Sequence, residues 1–187
     1  MNVIYFVRHA KPDFSIKDEL LRTLSEEGIN DSRKVTEYLK DKNITKIYSS
    51  PYKRSIDTIR DFAIFANKGI ELVEDFRERK VSNNWIKDFN KFAEKQWSDF
   101  NYTLEEGENL RVVQDRNIEA LHKLLNENNN ENILIGTHGT ALSTIINYYD
   151  KSFDYKSFNK IKDIMPLIVV IKFEGINVNS IEYVLNI

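Results

Sequence analysis

The apolar positions along this chain change period several times, and each change marks an element. Residues 3–7, Val-Ile-Tyr-Phe-Val, form an unbroken apolar run. Residues 133–135, Ile-Leu-Ile, form another. Runs of this kind, rich in β-branched and aromatic side chains, suit strands buried on both faces. Shorter runs at 44–48 and 70–73 predict two more strands. Residues 167–173 and 178–184, separated by Glu174-Gly175-Ile176-Asn177, predict a closing hairpin. Between the strands the period lengthens to that of a helix. Ser25 followed by Glu26 and Glu27 reads as a helix start that runs to about residue 42, with Val35, Tyr38 and Leu39 inward and Asn43 as the stop. Pro51 suits the first turn of a second helix, with a serine before it as the cap. Further helices are expected over 110–125 and 140–149. Trp85, Ile86, Phe89, Phe92, Ala93 and Trp97 also fall at helical spacing. Residues 150–163 read as a charged linker. The alternation of strand and helix predicts a three-layer α/β/α sandwich with a mostly parallel central sheet and at least the last strand antiparallel.

Length and composition narrow this picture. The 187 residues fit one domain, with 80–108 as a helical insertion on the substrate side. A 41% hydrophobic and 30% charged composition is that of an ordinary globular protein. The net charge of −2 supplies no general attraction to nucleic acid or to a membrane, so a basic site must be local. No apolar run approaches the roughly 18 residues of a membrane helix, and no signal peptide is apparent, so a cytoplasmic location is expected. There is no cysteine, which excludes disulfides, a thiol nucleophile and thiolate metal sites. The only histidines are His9, His122 and His138, too few for a His-rich metal centre. His122, on the polar side of its helix, reads as exposed.

The chemistry gathers at strand ends. The first strand stops at Arg8-His9, the second at Ser49-Ser50 with Arg54 just beyond, and a late strand at Thr137-His138-Gly139. In an open α/β sheet these ends share one edge. Two arginines, two histidines and two helix N-termini would then face one pocket. Guanidinium groups pair with phosphate oxygens, and helix N-termini offer free N–H groups to anions. Gly139 would let the backbone approach closely. The expected ligand is a phosphoryl group.

These residues resemble the signatures of the histidine phosphatase superfamily, which includes the cofactor-dependent phosphoglycerate mutases. Arg8-His9-Ala10 resembles its Arg-His-Gly/Ala motif, and Leu24-Ser25-Glu26-Glu27-Gly28 its Leu-Thr-x-x-Gly. Residues 49–58 are similar to its Ser-x-Pro-x-x-Arg-Ala-x-x-Thr segment. Phe76-Arg77-Glu78 resembles its Leu-x-Glu, Gly107-Glu108-Asn109 its Gly-Glu-Ser turn, and Thr137-His138-Gly139 its second His-Gly. The set spans most of the chain in the family's order. It implies a phosphoglycerate mutase-like fold and a phosphatase that uses neither metal nor cofactor on a small phosphorylated substrate. By this resemblance His9 is the nucleophile, Arg8, Arg54 and His138 hold the phosphate oxygens, and Glu78 is the general acid and then the base for water. The phosphate-touching Asn of the family corresponds here to Ser15, or its position is displaced by the loop containing Pro12. Ala10 stands where the mutases carry Gly, Ser55 replaces an Ala, and Lys80-Val81-Ser82-Asn83-Asn84-Trp85 keeps only the Trp of the run after the acid. The alternatives are a mutase returning the phosphoryl group to a second hydroxyl, and a catalytically silent phosphate-binding domain.

Overall fold

In the computed structural model, which describes residues 1–82 and 86–185, the first apolar run becomes the strand β1 (Asn2–Arg8). Its side chains alternate between two cores. Ile4 and Phe6 face one, Tyr5 and Val7 the other. A strand buried on both faces must lie inside the sheet, and β1 does. The remaining strands are β2 (Lys46–Ser49), β3 (Glu71–Leu72), β4 (Asn132–Thr137), β5 (Leu167–Glu174) and β6 (Asn177–Val184), in the order β3-β2-β4-β1-β5-β6. The pairs β1–β4, β4–β2 and β2–β3 are parallel, while β1–β5 and β5–β6 are antiparallel. The strand that runs against all the others is thus β5, one earlier than expected. The tight turn at Gly175 (φ +59°) brings β6 back into the common direction.

The helices α1 (Glu26–Leu39) and α2 (Lys53–Phe65) cover one face, packing Val35, Leu39, Ile59 and Phe62 on Tyr5, Val7 and Leu134. On the other face α4 (Leu110–Glu127) and α5 (Gly139–Tyr149) pack on Ile4, Phe6, Ile133 and Ile135. This is the three-layer sandwich expected. Ser25 caps α1 by accepting the Gly28 N–H at 3.1 Å. The chain turns out of it at Asn43, whose φ of +51° suits an asparagine.

Three local expectations change. The second helix begins at Lys53 rather than at Pro51, because Tyr52 is its N-cap, and Ser50 accepts the Tyr52 N–H instead of capping the helix. The linker contains a short helix, α6 (Tyr155–Ile161), started by Asp154, whose carboxylate accepts the Ser157 N–H. Within 80–108, α3 covers only Phe89–Ser98 and packs Trp97 against Phe158 of α6, ring centroids 5.4 Å apart. Trp85 lies outside the described residues. Among the described residues no helix is long and apolar enough to cross a membrane.

Candidate active site

The parallel register sets the three strand ends side by side. Arg8 is level with Thr137, and Ser49 with Gly136. The ladder continues one step further, with His9 N–H donating to Thr137 O (3.1 Å) and Ser50 N–H to Gly136 O (2.9 Å). His9 and His138 therefore lie together, ring centroids 5.2 Å apart, with His9 lining a cavity of about 1340 Å³ and His138 fully buried behind it. Arg8, His9, Arg54, Glu78 and Gly139 line this cavity.

His9 is buried and its Nδ1 lies 2.8 Å from the carbonyl oxygen of Ala10. A carbonyl only accepts, so Nδ1 carries the proton and Nε2 keeps its lone pair. Ala10 is itself held, its N–H donating to Thr58 Oγ1, whose hydroxyl donates to Arg54 O. His138 is fully buried, with Nε2 2.8 Å from Ser50 Oγ and Nδ1 without a partner among the described residues. The Ser50 oxygen accepts the Tyr52 N–H and keeps a second lone pair, so it can donate to His138 Nε2 or accept from it. When Ser50 donates, Nδ1–H is a buried donor awaiting an acceptor.

Burial holds both imidazoles well below their ordinary 6.5, with Arg54 and Arg8 adding repulsion. Both are neutral at pH 7, as a nitrogen nucleophile and a tautomeric donor require. The sign for stability follows. In the unfolded chain each imidazole takes up a proton near 6.5, in the folded chain only well below it. Between those values the unfolded state holds more protons, so acidification favours unfolding. We expect each histidine to cost about 1.4 kcal/mol for each unit that pH falls below its unfolded value. Thermal midpoints measured from neutral to mildly acidic pH should fall, and fall less steeply in His9→Asn. Parallel slopes for the two proteins would rule His9 out as a source.

Arg8 donates from Nη1 to the carbonyls of Ile161 (3.1 Å) and Ile164 (2.9 Å), while its Nε is buried without a partner among the described residues. Burial lowers it to about 10, so it stays cationic at neutral pH. Gly139 acts differently from expectation. A β-carbon there would lie 3.0 Å from Arg8 Cζ, so the missing side chain makes room for this guanidinium. Arg54 is 3% exposed and lies over the Tyr52 ring at 4.9 Å. Its Nη1 donates to Glu19 O (2.7 Å) and its Nη2 pairs with Glu19 Oε2 (3.0 Å).

Glu78 occupies the N-terminus of α5. Its Oε2 accepts the Thr140 N–H (3.0 Å), and its Oε1 accepts those of Ala141 (3.2 Å) and Arg79 (2.8 Å). The first amides of that helix, expected to face the phosphate, thus hold the carboxylate instead. The segment carrying Glu78 is braced from behind by Arg116, which the sequence reading overlooked. Arg116 donates to the carbonyls of Asp75 (2.6 Å), Arg77 (2.9 Å) and Glu78 (3.3 Å) and pairs through Nε and Nη2 with Glu108. Glu108 N–H donates to Lys80 O (2.7 Å), and Lys80 N–H to Glu108 Oε2 (2.9 Å). Gly107 is obligatory at this crossing, since a β-carbon would lie 2.2 Å from Val81 O. The signal was present as Gly107-Glu108, followed two helical turns later by an arginine.

Ser15 stands apart. It is exposed, donates its hydroxyl to Asp13 Oδ1 (2.6 Å), and does not line the cavity. His122 is half-buried rather than exposed, its Nε2 3.0 Å from the Tyr149 hydroxyl.

The sequence profile of the histidine phosphatase superfamily (branch 1) matches residues 4–175. The chain belongs to this superfamily. Comparison with curated protein sequences found no match. Among solved structures this histidine phosphatase superfamily member is similar to YhfR of Bacillus stearothermophilus, with TM-score 0.78 and 20% identity over 96% of this chain and 95% of that one. It is similar to a mutant phosphoserine phosphatase from Entamoeba histolytica solved with phosphoserine, with TM-score 0.76 and 20% identity over 97% and 96% of the two chains. It is also similar to a mycobacterial glucosyl-3-phosphoglycerate phosphatase solved with VO3, with TM-score 0.79 and 14% identity over 98% of each chain. At these identities the likeness is one of fold.

Proposed function

We propose that this superfamily member is a metal-independent phosphomonoester hydrolase working through a phosphohistidine at His9. The observation that carries the reading is the locked His9 tautomer, with a bare Nε2 at the cavity that Arg8 and Arg54 also line. Nε2 attacks phosphorus, the N–P bond forms, and the bond to the leaving oxygen breaks. Arg8, Arg54 and the Nδ1–H of His138 hold the phosphoryl oxygens and stabilise charge during transfer. Glu78 protonates the departing oxygen. It then takes a proton from water, whose oxygen attacks phosphorus as the N–P bond breaks, freeing orthophosphate and neutral His9. Positive charge on the equatorial oxygens comes from the arginines, so no step is assigned to a metal.

The substrate is proposed to be a small phosphorylated metabolite, in keeping with the phosphoserine and glucosyl-3-phosphoglycerate phosphatases on the same fold. An aryl phosphate and a panel of metabolite monoesters, each with and without EDTA, test the proposal. Orthophosphate release at equal rates in both conditions is expected. Loss of activity on chelation would sink the metal-free scheme. With 3-phosphoglycerate, isomerisation stimulated by 2,3-bisphosphoglycerate and faster than phosphate release would make the protein a mutase instead.

A further inference from the structure

The loop between β1 and α1 places a carboxylate, that of Glu19, on Arg54. Its base is tied down by the Pro12–Leu24 bridge, by Asp13 N–H on Thr23 O (2.9 Å) and by Ser25 N–H on Lys11 O (3.0 Å). Its tip is fastened to the start of α2 by polar contacts. Lys53 N–H donates to Leu20 O (2.9 Å), and Glu19 takes Arg54 through both its backbone oxygen and its carboxylate. The other Glu19 carboxylate oxygen pairs with Arg22 at 2.8 Å. Toward the tip, Phe14, Leu20 and Leu21 are 57%, 49% and 59% exposed, and Ile16 is half-buried. A loop held by polar bonds rather than by a buried core opens at low cost.

We propose that Glu19 is a competing internal anion, a latch that holds Arg54 while the site is empty and yields it to the phosphoryl group. The latch rests on reading Arg54 as a phosphoryl ligand. The Arg54 guanidinium is 4% exposed and the Glu19 side chain 59% exposed, so the carboxylate is the mobile partner. An arriving phosphoryl dianion offers Arg54 a second charge and more acceptor oxygens, and displaces Glu19 Oε2. Glu19 retains its Arg22 partner, which keeps it close. When orthophosphate forms, the carboxylate returns to Arg54 and helps expel it. Glu19 thereby lowers anion affinity and speeds product release.

Titration calorimetry with inorganic phosphate tests this on the wild-type chain, Glu19→Gln, Glu74→Gln and Arg54→Ala. Glu74 is the control for charge alone, because it lines the same cavity but pairs with Arg77. Glu19→Gln is expected to bind phosphate about threefold to tenfold more tightly, the scale of one partly exposed ion pair. Glu74→Gln is expected to change affinity by less than about twofold. Unchanged or weaker binding by Glu19→Gln, with normal binding by wild type and loss in Arg54→Ala, would overturn the latch and leave the phosphate site standing. Equal tightening by both Gln variants would overturn it as a field effect. Wild-type phosphate binding that survives intact in Arg54→Ala, or no binding by any of the four proteins, would overturn the latch together with the reading of Arg54 beneath it.

Discussion

His9→Ala lowers kcat on an aryl phosphate by on the order of 10⁴ or more, while the protein keeps its fold. The size follows from the role. In the proposed mechanism His9 makes and breaks the bond to phosphorus, and no neighbour can replace it. His138, 5.2 Å away between ring centroids, has its Nε2 engaged by Ser50. The fold survives because, among the described residues, the imidazole makes one hydrogen bond, to the backbone of the next residue, and its ring contact is the edge-on one with His138. Brief reaction with a labelled monoester followed by quenching should leave an acid-labile, alkali-stable phosphoryl group on wild type and none on His9→Ala. Turnover by the variant equal to wild type would remove His9 from the mechanism.

Arg8→Ala damages activity and stability together, and this is the second large effect. Removing the guanidinium takes a fixed charge from the phosphoryl site and lowers kcat/KM by about 10²–10³. It also leaves the Ile161 and Ile164 carbonyls without their donor, at a cost of about 2–4 kcal/mol. Arg8→Lys restores charge but not the planar fork, so it should recover part of the stability and little of the activity. Urea denaturation and steady-state kinetics on both variants separate the two losses. A fully active Arg8→Lys enzyme would mean that charge suffices and that guanidinium geometry is irrelevant.

The parts legible in the sequence are those in which local pattern and tertiary burial agree. β1 and β4 are apolar throughout because both faces are covered, and each ends where polar residues enter the cavity. Arg8, His9, Arg54 and His138 stand close together because the register of three parallel strands leaves their ends little freedom, whereas Glu78 is brought in by the first amides of α5 and by Arg116. Contacts between remote loops were not legible. Nothing in the pattern of residues 11–24 links Glu19 to Arg54, whose partner lies 35 positions away across a loop. Arg116 reads as one more polar position on an amphipathic helix until its carbonyl acceptors are seen. α6 was missed because its seven residues include charged positions and bury only Phe158 fully. β5 runs against the sheet because of a chain reversal before Leu167 that hydrophobic period does not encode.

The doubly bonded crossing of Lys80 and Glu108 has a consequence for how such an enzyme diversifies. Residues 80 and 108 are tied to each other at the two ends of the segment that carries α3. Arg116 secures the Glu78 backbone, and α3 reaches the same segment through Gln96, which accepts from the buried Arg79 side chain and donates to the Glu108 carbonyl. Val81, Ser82, Phe89 and Asn90 also line the cavity. One segment thus both walls the cavity and, through Gln96 and Arg79, leans on the residue beside Glu78, so a change in α3 would be felt at both places.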